Sequence, residues 1–113
     1  MIKKILITGS QGYIGSVIYP ELNKMGYNIK SIDNGYFNNC LINNLSEKLP
    51  FSKTYLDDIN LSDLKGFDAV IHLAGLQNDP LKDTLPGKVY EIEYRYTKKI
   101  ADYCRDLKIK FIY

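Results

Sequence analysis

The stretch Lys3–Gly15, KKILITGSQGYIG, decides the fold of this chain. The run Lys3–Thr8 is built on aliphatic and β-branched residues without polar alternation, which is typical of a strand covered on both faces of a parallel sheet. Glycines follow at positions 9, 12 and 15, and a helical pattern continues to Met25. A strand, a glycine-rich turn and a helix in this order predict a loop that cradles the phosphates of a dinucleotide.

Each of the three glycines has a separate expected role in such a loop. Gly9 allows the tight turn off the strand, Gly12 lets the backbone approach a pyrophosphate, and Gly15 lets the helix pack closely on the sheet. The N-terminus of the helix then directs N–H groups and a partial positive charge towards the phosphates. Three spaced glycines alone are a weak signal, so the prediction depends on the strand and helix that flank them.

An acidic residue in the expected place supports the same interpretation. Asp33 ends a second strand, Asn28–Asp33, and lies 18 residues beyond Gly15. A carboxylate there accepts hydrogen bonds from the hydroxyls of the adenosine ribose. Asn34 follows, and no arginine stands nearby to receive a 2′-phosphate, which favours NAD over NADP. The competing interpretation is that the glycines only form a turn and that Asp33 is a solvated strand end.

The rest of the chain alternates strands with helices. Further strands are expected at Ser52–Leu56, Asp68–Leu73 and Ile109–Tyr113, and helical segments at Cys40–Leu49, Asn60–Lys65 and Lys88–Lys108, with a bend at Pro20 in the first helix. This alternation predicts an α/β fold, a Rossmann-like doubly wound parallel sheet of about five strands in the order 3-2-1-4-5. We expect one partial, truncated domain over residues 1–113, with a crevice between strands one and four.

Composition excludes several classes of protein. The chain has 113 residues, with 15 Lys and Arg against 13 Asp and Glu, so no broad basic face for nucleic acid is expected. No apolar run approaches the roughly 20 residues of a membrane helix, and no secretion signal is visible. One histidine and two distant cysteines, Cys40 and Cys104, do not make a metal site. A cytoplasmic location with reduced thiols is the expectation.

Four motifs together resemble a known family. They are Thr8–Gly15 (TGSQGYIG), Asp58-Ile59, Ile71–Gly75 (IHLAG) and Asn78–Pro80 (NDP). The combination resembles the extended short-chain dehydrogenase/reductase family, and within it the NAD-dependent epimerases and dehydratases that act on nucleotide sugars. The resemblance spans all 113 residues but corresponds only to the amino-terminal half of the family's usual domain.

The resemblance implies a set of NAD contacts. The backbone N–H groups of Tyr13 and Ile14 would face the pyrophosphate, Asp58 and Ile59 the adenine, and Leu73–Gly75 the nicotinamide ribose. The alternative for the acids at 57 and 58 is that they cap a short helix. The predicted cofactor-binding residues are Gly9, Gln11, Gly12, Tyr13, Ile14, Gly15, Asp33, Asn34, Asp58, Ile59, Leu73, Ala74 and Gly75.

The chain departs from the family at the catalytic residues. The family uses a Ser or Thr after the fifth strand and a Tyr-x-x-x-Lys on the next helix, and both positions would lie beyond Tyr113. The pattern Tyr94–Lys98 does match, but on the face of its helix opposite an apolar stripe, so we expect no catalytic role for it. The stripe recurs at three- and four-residue steps and consists of Val89, Ile92, Tyr96, Ile100, Cys104 and Leu107. Glu93 stands where the family usually has Asn. His72, inside an apolar strand, is expected to be a packing residue.

Three functions remain open from the sequence. The chain could be the NAD-binding portion of a nucleotide-sugar epimerase or dehydratase, without its substrate domain and without turnover of its own. It could be a stand-alone dinucleotide-binding sensor, or a remnant that binds nothing; the glycine spacing and Asp33 disfavour the last. An exposed sheet edge would favour pairing with a second copy or with a complementary chain.

Overall fold

Five parallel strands form one sheet in the computed structural model, which describes residues 1–35, 50–75 and 86–113. The strands are β1 (Lys4–Thr8), β2 (Asn28–Asp33), β3 (Ser52–Lys53), β4 (Ala69–His72) and β5 (Lys110–Ile112). Their order is β3-β2-β1-β4-β5, and every neighbouring pair is parallel, which confirms the predicted topology. The helix expected at 40–49 and the motif at 78–80 lie outside the described residues.

The central strand β1 explains why its sequence is apolar throughout. Ile5 pairs with Ile29 of β2 and with Ala69 of β4, so β1 has a neighbour on each side. Leu6 contributes to a buried cluster on one face of the sheet, whereas Ile5 and Ile7 contribute to a cluster on the other. Because successive side chains of a strand point to opposite faces, a strand covered on both faces needs apolar residues at every position.

Helices cover both faces of the sheet. Helix α1 (Tyr13–Lys24) continues through Pro20 and packs Tyr19 against Ile5 and Ile7. On the opposite face lie two 3₁₀ turns, Leu56–Asp58 and Leu61–Leu64, and a long helical segment near the end of the chain. None of the helices in the described ranges is long and apolar enough to cross a membrane.

The long helical segment has three parts that follow one another directly. They are α2 (Pro86–Tyr90), a π-helical segment (Glu91–Tyr96) and α3 (Thr97–Asp106). The predicted apolar stripe is present, since Ile100 and Cys104 are fully buried. The prediction of one regular helix as far as Lys108 was wrong, because the middle of the segment is π-helical and the helix ends at Asp106.

Candidate functional site

A cleft lies at the carboxyl ends of β1, β2 and β4, on the crevice side predicted for this topology. Its floor and walls combine the glycine-rich loop, the end of β2, the turn after β3, the residues after β4 and the helical segment from α2. The lining residues are Gly9, Gln11, Gly12, Ile32, Asp33, Asn34, Thr54, Tyr55, Leu56, Asp57, Leu73, Ala74, Gly75, Lys88, Ile92 and Tyr96.

Two of the loop glycines are required by the fold itself. Gly9 has φ +78°, and a Cβ there would lie 2.6 Å from the backbone N of Ala74. A Cβ on Gly15 would lie 2.7 Å from Ser10 Cα and would also overlap the carbonyl oxygen of Gly9. Both substitutions would force the loop away from its neighbours, so these glycines close the turn and dock helix α1.

Gly12 is different, because no close backbone contact in the fold demands a glycine there. Its φ is −81° and its ψ 177°, an extended conformation open to any residue. A Cβ on Gly12 would meet, among the described residues, only the carbonyl oxygen of Gly9, at 3.4 Å, an ordinary van der Waals contact. Gly12 lines the cleft, so a Cβ there would occupy space at the cleft without displacing the described protein atoms around it.

Helix α1 begins directly after this loop. Gly12 is the N-cap residue, no side chain caps the helix, and its first turn contains no acidic residue. The side chains of Tyr13 and Ile14 are exposed to solvent, 76% and 54% respectively. No carboxylate of the first turn of the helix therefore neutralises its positive end, an arrangement that suits a phosphate.

Asp33 connects the end of β2 to the glycine-rich loop. Its Oδ2 accepts a hydrogen bond from the backbone N–H of Gln11 at 3.0 Å, and its Oδ1 accepts one from the N–H of Gly35 at 2.7 Å. Each carboxylate oxygen has a further lone pair. The carboxylate is therefore fixed in the cleft and retains acceptor capacity for ligand hydroxyls.

One end of the cleft lies between the turn after β3 and the helical segment. Leu56 and Asp57 line it from the 3₁₀ turn, and Ile92 and Tyr96 line it from the π-helical segment. The sequence had indicated Asp58 and Ile59 instead. The structure does not bring these two to the cleft, since Asp58 is exposed and Ile59 is buried in the core beside Leu64.

Most of the other predicted residues do meet at the cleft. Those lining it are Gly9, Gln11, Gly12, Asp33, Asn34, Leu73, Ala74 and Gly75. Their roles in cofactor binding stay predictions. The sequence reasoning missed the contribution of the helical segment. From the sequence, Ile92 and Tyr96 were predicted only as members of the apolar stripe. They lie in the part of the stripe nearest the carboxyl edge of the sheet, and this position could have indicated that they line the cleft.

His72 lies at the centre of a buried chain of hydrogen bonds between two walls of the cleft. The N–H of Ala74 donates to Thr8 Oγ1 at 3.3 Å, and Thr8 Oγ1 lies 2.6 Å from His72 Nδ1. His72 Nε2 lies 3.0 Å from Thr97 Oγ1, which donates to the carbonyl oxygen of Ile92 at 3.4 Å. These partners assign the ring proton to Nε2, with Nδ1 accepting from Thr8.

This histidine is neutral and structural. It is 1% exposed, and burial lowers the pKa of His72 to about 4. Its ring also stacks on Phe111 and Tyr113, with centroids 6.1 and 5.9 Å away. The prediction that His72 is a hydrogen-bonded packing residue is confirmed.

The Tyr94–Lys98 pair lies away from the cleft. Tyr94 is 54% exposed and stacks on Tyr90, with ring centroids 5.3 Å apart. Lys98 forms an ion pair with Asp102 at 2.7 Å on the solvent side of α3. Neither lines the cleft.

Glu93, in the same π-helical segment, has a buried carboxylate oxygen. Its Oε1 has no hydrogen-bond partner among the described residues. Most buried polar atoms in folded proteins have at least one such partner, so this one is an exception that the fold tolerates at a cost.

The described part of the chain contains neither a reactive cysteine nor a metal site. Cys104 is a free thiol with no exposed surface, and burial raises its pKa to about 11, so it is a packing residue. Among residues 1–35, 50–75 and 86–113, no group of histidine, cysteine and acidic side chains is arranged to hold a metal ion.

Comparison with known proteins places these features in a family. The sequence profile of the NAD dependent epimerase/dehydratase family matches residues 5–113. A UDP-glucose 4-epimerase from Pisum sativum is 39% identical over 90 residues, an alignment that covers 66% of this chain and 25% of that protein.

Solved structures agree with the sequence match. A UDP-N-acetylglucosamine 4-epimerase from Methanobrevibacter ruminantium, in complex with UDP-N-acetylmuramic acid, superposes with a TM-score of 0.80 at 30% identity, covering 96% of this chain and 36% of that one. MoeE5, in complex with UDP-glucose and NAD, superposes with a TM-score of 0.76 at 25% identity, covering 94% and 33%. The chain thus spans about a quarter to a third of the proteins it matches.

Proposed function

The chain belongs to the NAD dependent epimerase/dehydratase family, and from that premise we propose that it binds NAD as the dinucleotide-binding part of a protein acting on a nucleotide sugar. The observation that carries the proposal is Gly12. The fold does not need a glycine at this position, yet a side chain there would enter the cleft at the start of α1. A residue without a side chain is needed if a pyrophosphate comes against the backbone.

Other groups of the cleft fit the remaining parts of the same ligand. The fixed carboxylate of Asp33 accepts hydrogen bonds from the adenosine ribose hydroxyls. The walls at Leu56 and Tyr96 hold the adenine, and Leu73–Gly75 lie beside the nicotinamide ribose. When bound, NAD supplies a hydride acceptor; the chain's own residues bind and orient it. As in the relatives crystallised with UDP-sugars, the substrate of the whole protein is a nucleotide sugar.

We further propose that these 113 residues alone do not turn over a substrate. A proton shuttle must lie within hydrogen-bond reach of the reacting oxygen, and Tyr94 instead stacks on Tyr90 at the surface. Lys98 is held by Asp102 and cannot lower the pKa of a tyrosine at the cleft. Residues 1–113 therefore constitute one partial domain with a binding role. With a free buried thiol at Cys104 and a metabolic cofactor, the cytoplasm is its proposed location.

The test is a calorimetric titration of NAD into the chain and two Gly12 variants. Gly12→Val should abolish measurable binding, and Gly12→Ala should weaken it by about tenfold or more, because a Cβ occupies the place of a phosphate oxygen. The urea midpoint of Gly12→Ala should stay close to that of the unsubstituted chain, because its Cβ makes only an ordinary contact.

Gly87→Ala in α2 is the matched control, because a Cβ there meets none of the described residues within 4 Å and Gly87 does not line the cleft. It should leave NAD affinity unchanged. If NAD binds Gly12→Val as tightly as the unsubstituted chain, or does not bind that chain at all, the proposal is wrong.

A further inference from the structure

Lys99 connects two elements that line one end of the cleft. Its Nζ donates a hydrogen bond to the backbone carbonyl oxygen of Asp57 at 3.0 Å, and the same Nζ lies 5.5 Å from the ring centroid of Tyr96. Asp57 belongs to the 3₁₀ turn after β3 and Tyr96 ends the π-helical segment. Both residues line the cleft, and Lys99 itself does not.

The contacts of Lys99 suit the chemistry of an ammonium group. An ammonium has three donors, so one can bond the Asp57 carbonyl while the charge interacts with the face of the Tyr96 ring. One flexible side chain thereby sets the relative position of a backbone turn and an aromatic ring.

The walls that Lys99 joins are suited to a flat, weakly polar group. Leu56, Ile92 and Tyr96 present apolar or aromatic surface to this end of the cleft. The uncapped start of α1 adjoins a different part of the lining, the glycine-rich loop. An aromatic heterocycle stacks on apolar and aromatic surfaces such as those of Leu56, Ile92 and Tyr96.

We propose that Lys99 is a positioning residue for nucleotide bases: by tying Asp57 to Tyr96 it fixes the spacing of the slot that receives the planar base of the dinucleotide. This inference rests on the proposed function, and it adds which residue outside the cleft determines affinity for one part of the ligand. It requires that Lys99 influence the base and not the nicotinamide end.

The neighbouring Lys98 provides a matched control. It is a lysine on the same helix with an ion pair to Asp102 at 2.7 Å, and it has no contact with the cleft. Lys98→Met and Lys99→Met change net charge and side-chain volume equally. Any difference in their effects on ligands therefore comes from the contacts of Lys99.

The experiment measures the affinity of the chain and its variants for ADP, for nicotinamide mononucleotide and for NAD. Lys99→Met should weaken ADP and NAD about fivefold to tenfold, in line with loss of a cation–π contact and one hydrogen bond. Affinity for nicotinamide mononucleotide should not change. Lys99→Arg, which keeps N–H donors and a cation over the ring, should stay within about twofold of the unsubstituted chain. Lys98→Met should match that chain for every ligand.

The outcomes separate this inference from the proposed function. If the unsubstituted chain binds neither ADP nor NAD, the proposed function is wrong, and the proposed role of Lys99, which depends on it, is wrong as well. If that chain binds both, and Lys99→Met binds ADP equally well, only the role of Lys99 is overturned. Equal losses for ADP and nicotinamide mononucleotide would also overturn it, since they would indicate a general effect on folding.

Discussion

The carboxylate of Asp33 holds the backbone of Gln11, with Oδ2 accepting the Gln11 N–H at 3.0 Å. Asp33 ends β2, and Gln11 lies in the loop that follows β1, so this bond joins two parts of the cleft that are 22 residues apart in sequence. The acid expected from sequence to receive ribose hydroxyls thus also orders the loop expected to receive phosphates. Ribose and phosphate binding should therefore be coupled through one side chain.

Asp33→Asn tests this coupling. An amide has one acceptor oxygen, so its NH₂ group must face either the N–H of Gln11 or the N–H of Gly35. We expect a lower urea midpoint and a loss of NAD affinity of about tenfold or more, since hydrogen bonds to a charged group contribute about 1.5–3 kcal/mol. Asp106→Asn, which removes the same charge from an exposed position on α3, should alter neither quantity. Unchanged affinity for NAD in Asp33→Asn would contradict the coupling.

Alanine substitutions of the loop glycines should differ in their effect on the stability of the fold. Gly9→Ala and Gly15→Ala should both lower the free energy of unfolding, because a Cβ at either position overlaps backbone atoms and Gly9 also has φ +78°. Strain of this kind costs on the order of 1–3 kcal/mol. Chemical unfolding measures the loss, and Gly12→Ala provides the comparison. Equal stability of all three variants would show that the loop is looser than the structure describes.

Sequence predicted the sheet because its signals are local and repeated. Each strand of the order β3-β2-β1-β4-β5 had an apolar run or a turn that could be located. The acid Asp33 was found in the same way, by its distance from the glycine loop. What could not be found were features determined by packing, such as the length of β3. The sequence predicted this strand over Ser52–Leu56, but it pairs with β2 only at Ser52 and Lys53, because the chain enters a 3₁₀ turn at Leu56.

The π-helical segment could not be predicted from the sequence, for a related reason. Apolar residues such as Ile92, Tyr96 and Ile100 recur every four residues, which fits an α-helix and gives no sign of an inserted residue. The helix end was also hidden, because Lys108 adopts φ 57° where a glycine would have marked the turn. The end of the cleft lined by Ile92 and Tyr96 was consequently the part of the site least predictable from sequence.

The buried imidazole of His72 should make stability depend on pH in the mildly acidic range. Its pKa falls from 6.5 to about 4 on folding, so the unfolded chain binds a proton more readily than the folded one. Stability from this group is fully present above pH 6.5 and is lost as the pH falls to 4, by about 3 kcal/mol in total. Urea unfolding at several pH values measures this slope.

His72→Gln is the control for that slope, because the carboxylates of Asp68 and Asp102 also have lowered pKa values and contribute at the acidic end. The difference between the two pH profiles isolates the histidine. The stability of the unsubstituted chain relative to His72→Gln should fall between pH 6.5 and 4 and be constant above pH 7. A constant difference over the whole range would mean that the pKa of His72 is the same in the folded and unfolded chain, and would contradict the lowered pKa.

Replacement of Glu93 by glutamine should stabilise the folded protein. Its Oε1 is buried without a hydrogen-bond partner among the described residues, and burying an unsatisfied charged oxygen costs more than burying an amide. Glu93→Gln should therefore raise the free energy of unfolding by about 1 kcal/mol at neutral pH. Glu91→Gln should bring no gain, because it breaks the exposed ion pair with Arg95 at 2.6 Å. A lower urea midpoint for Glu93→Gln would contradict the prediction that this oxygen is buried without a donor.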